Sequence, residues 1–172
     1  VEYVLSDNYI GGYGYIPESE IYRTFSVFFG GYHIASYDNY YDSLHRVVVL
    51  LKDASGGIFT GKKLTVFMHK NYTHKDNAYN NLAQINGTVA LDLNGKTLLS
   101  ESSFALRIKS GAHVTIKDSG EGGAIEAKRG VAKAIINKGT LTVESGTVKG
   151  DGGIDNYGTL TFNNGTVEAG EY

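Results

Sequence analysis

Apolar and polar positions in the second half of the chain alternate over short stretches that are bounded by glycine or asparagine. In Leu141-Thr142-Val143 the apolar side chains occupy alternate positions, so Leu141 and Val143 share one face of a strand. Short alternating segments between Gly and Asn are typical of β-strands joined by turns. No repeat in this region offers ten consecutive helix-forming residues. The pattern predicts short strands and argues against helical repeats.

These segments recur along the chain. Residues Ile135–Val148 and Ile154–Val167 are identical at nine of fourteen positions when offset by 19 residues. Two more divergent copies precede them, at Leu106–Ile125 and Gly87–Leu98. Self-similarity at a period of about 20 residues indicates a solenoid, in which each repeat buries its apolar face against its neighbours.

Equivalent positions in the copies are apolar, which predicts stacked columns in a continuous interior. One column is predicted to hold Val114, Leu141 and Leu160, with Leu91 and Leu93 contributed by the first copy. Two further columns are expected from Ile125, Val148 and Val167, and from Leu106, Ile135 and Ile154. Short strands with this stacking predict an all-β solenoid, a parallel β-helix with coils of about 19–27 residues.

Polar positions also repeat and predict two ladders along the stack. Asn137 and Asn156 fall one repeat apart at a corner, where their amides can bond to each other. Thr115, Thr142 and Thr161 are expected to form an outward threonine ladder. Both ladders are predicted to be structural.

The N-terminal half has a different pattern, since 11 of the 13 tyrosines precede residue 80. Its apolar stretches Val1–Leu5, Ile21–Phe29 and Lys63–Met68 favour strands, whereas Asp76–Ile85 is the best helix candidate. We therefore expect a Tyr/Gly-rich cap or assembly region over residues 1–45, and a parallel β-helix over 46–172 with its clearest repeats at 86–172. The expected cap is a mixed α/β structure.

Composition removes several classes of protein. The chain of 172 residues has no cysteine, which excludes a disulfide scaffold and thiolate zinc sites. Its net charge of −2 leaves no broad positive field, so nucleic acid is not an expected partner. The longest aliphatic run, Val47–Leu51, is too short to insert into a membrane. No cofactor or metal is expected, because His69 and His74 match no ligand motif.

The repeat motifs TVALDLNGKTL, VTIKDSGEGGAI and NKGTLTVESGTV, within Gly87–Ala169, resemble those of pectate-lyase-like right-handed parallel β-helix proteins. They are especially similar to the β-helix regions of bacterial surface proteins of the gut Firmicutes type. The resemblance implies a right-handed coil and an extracellular or cell-surface location. In that family some members are lyases or hydrolases of polysaccharides, and others are adhesive or structural modules.

An enzyme of this kind requires clustered carboxylates on one exposed face. The candidates are Asp92, expected to point outward between two inward leucines, and three aspartates at turns: Asp118, Asp151 and Asp155. Nothing in the sequence places two of them on adjacent strands of one face. Asp and Asn are also common in turns because their side chains bond local backbone. No catalytic residue is therefore assigned.

Saccharide binding is suggested by the segment GGYHIASYDNYYD, which contains Tyr32, Tyr37, Tyr40 and Tyr41. Tyrosine rings stack on sugars, and they also pack a cap while keeping the hydroxyl in water. Both interpretations stay open for these four residues.

The last repeat, Ile154–Val167, has neighbours on one side only, so Phe162 and Val167 are candidate assembly residues. A strand containing Val1 and Leu5 could add to the edge of another copy. The expected partners are other copies of the chain or further β-helix coils, with saccharide as a possible ligand. The expected function is a non-enzymatic extracellular structural or adhesive module, either a surface-protein β-helix or a self-assembling fibre subunit. The alternatives are a polysaccharide-active lyase or hydrolase and a phage receptor-binding module.

Overall fold

The structure is a computed structural model that describes residues 9–10, 12–20, 23–38, 63–74, 81–82, 88–101, 104–128, 130 and 133–169. These residues form an all-β protein, as expected. The strands are β1 (Tyr9–Ile10), β2 (Gly14–Tyr15), β3 (Phe25–Phe29), β4 (Tyr32–Tyr37), β5 (Lys63–Met68), β6 (Tyr72–His74), β7 (Asn81–Leu82), β8 (Thr88–Asp92), β9 (Thr97–Ser100), β10 (Leu106–Ile108), β11 (His113–Lys117), β12 (Ala124–Ala127), β13 (Ile135–Asn137), β14 (Thr140–Val143), β15 (Thr147–Gly150), β16 (Ile154–Asn156), β17 (Thr159–Phe162) and β18 (Thr166–Ala169).

From β5 onward, successive strands enter three sheets in rotation. The seven-stranded sheet has the order β17-β14-β11-β8-β5-β3-β4, the five-stranded sheet β18-β15-β12-β9-β6, and the four-stranded sheet β16-β13-β10-β7. Every pairing among β5 to β18 is parallel. Strands that are consecutive along the chain therefore belong to different sheets, and each strand from β8 to β15 pairs with the strands one repeat before and after it.

The strand register aligns the repeated apolar positions. Val114 pairs with Leu141, which pairs with Leu160. In the first copy the partners of Val114 and Ile116 are Val89 and Leu91, so the expected alignment of Leu91 and Leu93 is wrong by two residues. A shift of two preserves the face of a strand, and for this reason all of these side chains except the terminal Leu160 are buried.

The spacing between paired strands is unequal. In the seven-stranded sheet, Thr88 lies 25 residues before its partner His113, and His113 lies 27 before Thr140. Thr140 then lies only 19 residues before Thr159. The differences are accommodated at the corners, while the pairing within the sheets stays in register.

The corners of the last repeats are tightly stacked, which explains their glycines. Gly165 has a φ of 115°, and a Cβ added there would lie 2.6 Å from the carbonyl oxygen of Gly146 in the preceding copy. Gly146 itself has a φ of 95°. Both the backbone conformation and the close approach therefore require glycine at residue 165.

The main core lies between the inner faces of the three sheets. Leu98, Leu106, Ile116 and Ile125 are each no more than 1% exposed in this core. A fully buried aliphatic side chain of this size stabilises the fold by about 1.5–3 kcal/mol. The main core thus contains apolar columns that were predicted from the repeats, among them Ile125 beside Val148.

The N-terminal end of this core is covered by strands that pair in antiparallel orientation. Strands β3 and β4 form an antiparallel hairpin, and β3 pairs antiparallel with β5, so the hairpin extends the seven-stranded sheet. Phe25 and Val27 are fully buried in the main core. The Phe25 ring lies edge-on to Tyr72, with centroids 5.0 Å apart. The hairpin therefore closes one end of the stack.

The expected mixed α/β character of the cap is wrong for the described residues, whose only helical segment is the three-residue 3₁₀ turn Glu18–Glu20. Within the predicted helix Asp76–Ile85, Asn81–Leu82 is a strand paired with β10. Asparagine is a poor helix former, and parallel pairing determines the conformation there. The rest of that segment, like Val1–Leu5, lies outside the described residues. No helix in the described part of the chain is long and apolar enough to cross a membrane.

Candidate binding groove on the outer face of the seven-stranded sheet

A second, smaller apolar cluster lies on the outer face of the seven-stranded sheet. Phe28 of β3 and Phe67 of β5 point away from the main core and are nevertheless 2% and 5% exposed. Ile16, Tyr13 and Ile10 of the β1–β2 region pack against them. The small β1–β2 hairpin therefore covers the outer face, because two phenylalanines there would otherwise be exposed to water.

Tyr13 joins this hairpin to the sheet. Its ring stacks on Phe28 with centroids 5.7 Å apart, and its hydroxyl donates a 2.5 Å hydrogen bond to Asp92 Oδ2. Asp92 Oδ1 accepts from the backbone N–H groups of Asn94 and Ser119 at 3.0 and 2.9 Å. Burial, and then the bond to Asp92, raise the pKa of Tyr13 above its usual value. Asp92 is on the outer face, as expected, but it is fully buried and held by three donors.

The hairpin can approach this closely because the start of β2, next to the hairpin's own turn, contacts a second turn. Gly14 has a φ of 127°, and a Cβ at this position would overlap the carbonyl oxygen of Gly31. Gly31 belongs to the turn between β3 and β4. Glycine at residue 14 thus permits the β1–β2 hairpin to rest against the β3–β4 turn.

Between these two turns and the sheet lies a groove of about 560 Å³, a volume within the range of small-molecule binding sites. Its lining includes Tyr13, Phe28, Gly31 and Thr65, with Lys63 and Lys117. The Lys117 ammonium lies 4.9 Å from the centre of the Tyr13 ring, at cation–π distance. Within the described ranges neither lysine forms an ion pair. The groove therefore combines aromatic, hydroxyl and cationic groups.

The four tyrosines proposed for saccharide binding do not form one cluster in the described structure. Tyr32 is 76% exposed and directly follows Gly31 of the groove. Tyr37 is at the opposite end of β4 and packs partly buried against the main core. Tyr40 and Tyr41 lie outside the described residues. Among the described members of this set, Tyr32 is next to the groove in sequence, but it pairs with Phe29, whose side chain packs against the main core. Its ring therefore lies on the face of the hairpin opposite to the groove.

The other aspartates considered for catalysis are engaged in local hydrogen bonds. Asp118 Oδ1 accepts from Gly95 N–H at 2.6 Å, and its Oδ2 accepts from Gly123 N–H at 2.8 Å. Asp151 Oδ2 accepts from the Gly130 N–H at 2.7 Å, and Asp155 accepts from the Tyr157 hydroxyl at 3.1 Å. These contacts fix turns. Among the described residues, no three His, Asp or Glu side chains are arranged to hold a metal ion.

Two histidines form a hydrogen-bonded chain across the hairpin that covers the core. His69 Nε2 bonds to Ser26 Oγ at 2.8 Å, Ser26 to Ser36 Oγ at 2.6 Å, and Ser36 to His33 Nε2 at 2.7 Å. Burial lowers the pKa of His69 to about 4, so the ring is neutral near pH 7. Ser26 is fully buried, so its hydroxyl is inaccessible to a substrate. This series of hydrogen bonds links β4, β3 and the end of β5.

The predicted ladder residues are adjacent in the structure. Asn137 Nδ2 donates to Asn156 Oδ1 at 2.7 Å, and Asn137 is fully buried. Thr115, Thr142 and Thr161 occupy paired positions in β11, β14 and β17. Their place between buried positions puts them on the outer face of the seven-stranded sheet.

The proposed assembly residues that the structure describes are exposed. Phe162 and Val167 are 43% and 42% exposed, whereas Val143 and Val148, their partners one repeat earlier, are 0% and 1% exposed. Strands β16, β17 and β18 are the last strands of their sheets. Val1 and Leu5 lie outside the described residues.

Sequence reasoning missed the groove itself. Tyr13, Lys63 and Lys117 were not among the predicted site residues, because they come from three separate segments. Gly12 and the pair Gly30-Gly31 were the available signal, since these glycines lie in turns that border the groove. Comparison of the chain with family models, curated proteins and solved structures gives no significant match. Function is therefore inferred from the chain's own geometry.

Proposed function

We propose that the chain is a right-handed parallel β-helix serving as a non-enzymatic adhesive module at the cell surface or outside the cell. Rotation of β5 to β18 among three parallel sheets, around one apolar interior, supports the solenoid. Crossovers between parallel strands of one sheet are right-handed in nearly all proteins, which supports the handedness. The extracellular location follows from the resemblance of the repeat motifs to surface proteins.

The observation that carries the adhesive function is the groove beside Tyr13. The Tyr13 ring lines this groove, and the Thr65 hydroxyl and the lysine ammonium groups there can bond sugar hydroxyls. Asp92 and Asp118 are held by backbone and side-chain donors, which disfavours the alternative of a lyase or hydrolase. A saccharide is the ligand class that fits these groups. A phage receptor-binding module would use the same chemistry.

Binding can be tested by titrating the isotope-labelled chain with neutral and charged oligosaccharides and following backbone amide shifts. We expect shifts at Gly31 and Thr65, and weaker binding by Thr65→Val. The matched control is Thr161→Val, which removes an exposed threonine hydroxyl from β17, the last strand of the same sheet. Chromatography of the ligands after incubation checks for cleavage. Cleaved products, or shifts confined to other regions, would contradict the proposal.

A structural role is the second candidate, favoured by the exposed edge at β16, β17 and β18. A second copy of the chain that covers this edge would bury Phe162 and Val167 and pair the free backbone groups. Light scattering from micromolar to millimolar concentration tests this role. We expect Val167→Lys to reduce association, and Thr166→Lys, on the opposite face of β18, to leave it unchanged. A monomeric parent across the whole range rules out assembly.

A further inference from the structure

The structure points to a chemical preference of the groove, and this inference rests on the proposed saccharide function. We propose that the groove selects oligosaccharides that carry anionic groups, carboxylate or sulfate, and that Lys63 and Lys117 bind those groups. The neutral part of the ligand lies between them, over Thr65 and beside Tyr13.

Lys117 is held with its charge directed at the groove. Asp92 pairs with Lys117 in the sheet, but its carboxylate is buried beneath Tyr13 and accepts three hydrogen bonds. Glu144 is an exposed acidic residue at the position beside Lys117 on the next strand, because it directly follows the β14 residue that pairs with Ile116. In the described structure neither carboxylate comes within 4.0 Å of the Lys117 ammonium. Contact with the Tyr13 ring restricts the side chain without neutralising it.

Lys63 provides a second cation at a distance set by the sheet. It is exposed at the first position of β5 and is aligned through Thr88 with His113, two strands away. Lys117 lies four residues beyond His113. With about 4.8 Å between strands and about 3.3 Å per residue, the two lysine Cα atoms are separated by about 16 Å. A short oligosaccharide is long enough to contact both lysines.

The floor of the groove favours a sugar over a peptide. Phe28 and Thr65 are paired positions of β3 and β5, so the floor is the face of a sheet. Backbone groups in the interior of a sheet are already paired, and an extended peptide binds best where a strand edge is free. Sugar hydroxyls need only side-chain and turn groups, which Thr65 and the glycine turn at Gly31 supply.

The test is calorimetry with four probes at low salt. A hyaluronan tetrasaccharide carries carboxylates, sulfated maltotetraose carries sulfates, unmodified maltotetraose is neutral, and tetraglutamate is an acidic peptide. The variants are Lys63→Gln, Lys117→Gln and Lys117→Arg. Lys149→Gln is the matched control, since this lysine lies in the five-stranded sheet beside Glu168 at 3.8 Å. Circular dichroism verifies that each variant is folded.

We expect at least one charged saccharide to bind about tenfold more tightly than maltotetraose, with a preference that weakens as salt rises. Lys63→Gln and Lys117→Gln should each remove about tenfold, Lys117→Arg should retain binding, and Lys149→Gln should match the parent. Comparing hyaluronan with sulfated maltotetraose identifies the anionic group. Equal binding of maltotetraose overturns the charge preference and leaves the saccharide function intact. Tighter binding of tetraglutamate overturns the preference for sugar, and no binding of any saccharide overturns both proposals.

Discussion

The Tyr13 hydroxyl donates a 2.5 Å hydrogen bond to the carboxylate of Asp92, 79 residues further along the chain. This bond fastens the β1–β2 hairpin to the outer face of the seven-stranded sheet and thereby forms one wall of the groove. Asp92 is fully buried, so each of its three donors replaces a contact with water.

Tyr13→Phe removes one of those donors while keeping the ring. Since the buried Asp92 carboxylate then has two donors instead of three, we expect the free energy of unfolding to fall by about 1–3 kcal/mol. Urea unfolding followed by circular dichroism measures the change. The control is Tyr32→Phe, at a position 76% exposed, which should stay within about 0.5 kcal/mol of the parent. Equal stability of parent and Tyr13→Phe would show that the bond contributes nothing.

The repeat region could be predicted from sequence because its signal is local and repeated. The pairing of Leu141 with Leu160 and the contact of Asn137 with Asn156 follow from a 19-residue offset visible in the sequence. The more divergent first copy gave the correct face but a register wrong by two residues. Identical neighbours fix a register, whereas alternation alone fixes only a face.

The groove could not be predicted in the same way, because no repeat links its parts. Asp92 was expected on the outer face, yet its burial depends on Tyr13, which approaches from a hairpin far away in sequence. Lys117 ends strand β11, and the β1–β2 hairpin turns that part of the surface into a concave site. Contacts of this kind depend on tertiary packing that composition does not encode.

Acid should destabilise the hairpin that covers the core. Burial lowers the pKa of His69 from its ordinary 6.5 to about 4, and burial also lowers the pKa of His33. The unfolded chain therefore binds protons near pH 6.5 that the folded chain does not bind until lower pH. The contribution of these neutral histidines to the free energy of unfolding is fully present above pH 6.5 and is lost as the pH falls towards 4. After allowing for the partial solvent exposure of His69, this loss is about 1–2 kcal/mol.

Denaturant titrations between pH 8 and pH 4.5 measure this loss. His69→Gln removes one titrating group and should flatten the profile. His113→Gln is the matched control, because His113 is exposed on β11 and is not part of the chain through Ser26 and Ser36. The same slope in His69→Gln and the parent would exclude His69 as the origin.

Leu141 and Leu160 are paired leucines of one apolar column that differ in their burial. Leu141 is fully buried, whereas Leu160 is partly buried in the last strand of the sheet. Leu141→Ala should cost about 2–5 kcal/mol, and Leu160→Ala less, when both are measured by urea unfolding of dilute protein. Leu141→Asp should be more severe, because it also buries a charge. Equal costs for the two alanine variants would contradict the difference in burial.

The two asparagines of the corner should also differ in how much stability is lost when each is replaced by alanine. Asn137 is fully buried, and besides Asn156 it contacts the carbonyl of Thr159 at 3.0 Å and the N–H of Gly139 at 3.1 Å. Asn156 is exposed at the edge. Asn137→Ala should therefore cost about 2–3 kcal/mol, and Asn156→Ala about 1 kcal/mol, in thermal or urea unfolding. The reverse order would show that the ladder is stabilised mainly from its exposed end.

The unequal spacing of paired strands has a consequence for what the chain can carry. Strand β14 lies 27 residues after its partner β11, β15 lies 23 after β12, and β16 lies 19 after β13. The corner between β14 and β15 and the corner between β15 and β16 are therefore each four residues shorter than the equivalent corner one repeat earlier, while the strand pairing is unchanged. The corners thus behave as exchangeable parts, since lengthening a loop costs little and loop tips tolerate insertion. Foreign peptides placed at the exposed Glu121-Gly122 tip would be displayed at a fixed height on a rigid column. New surface properties can arise there without any change in the interior.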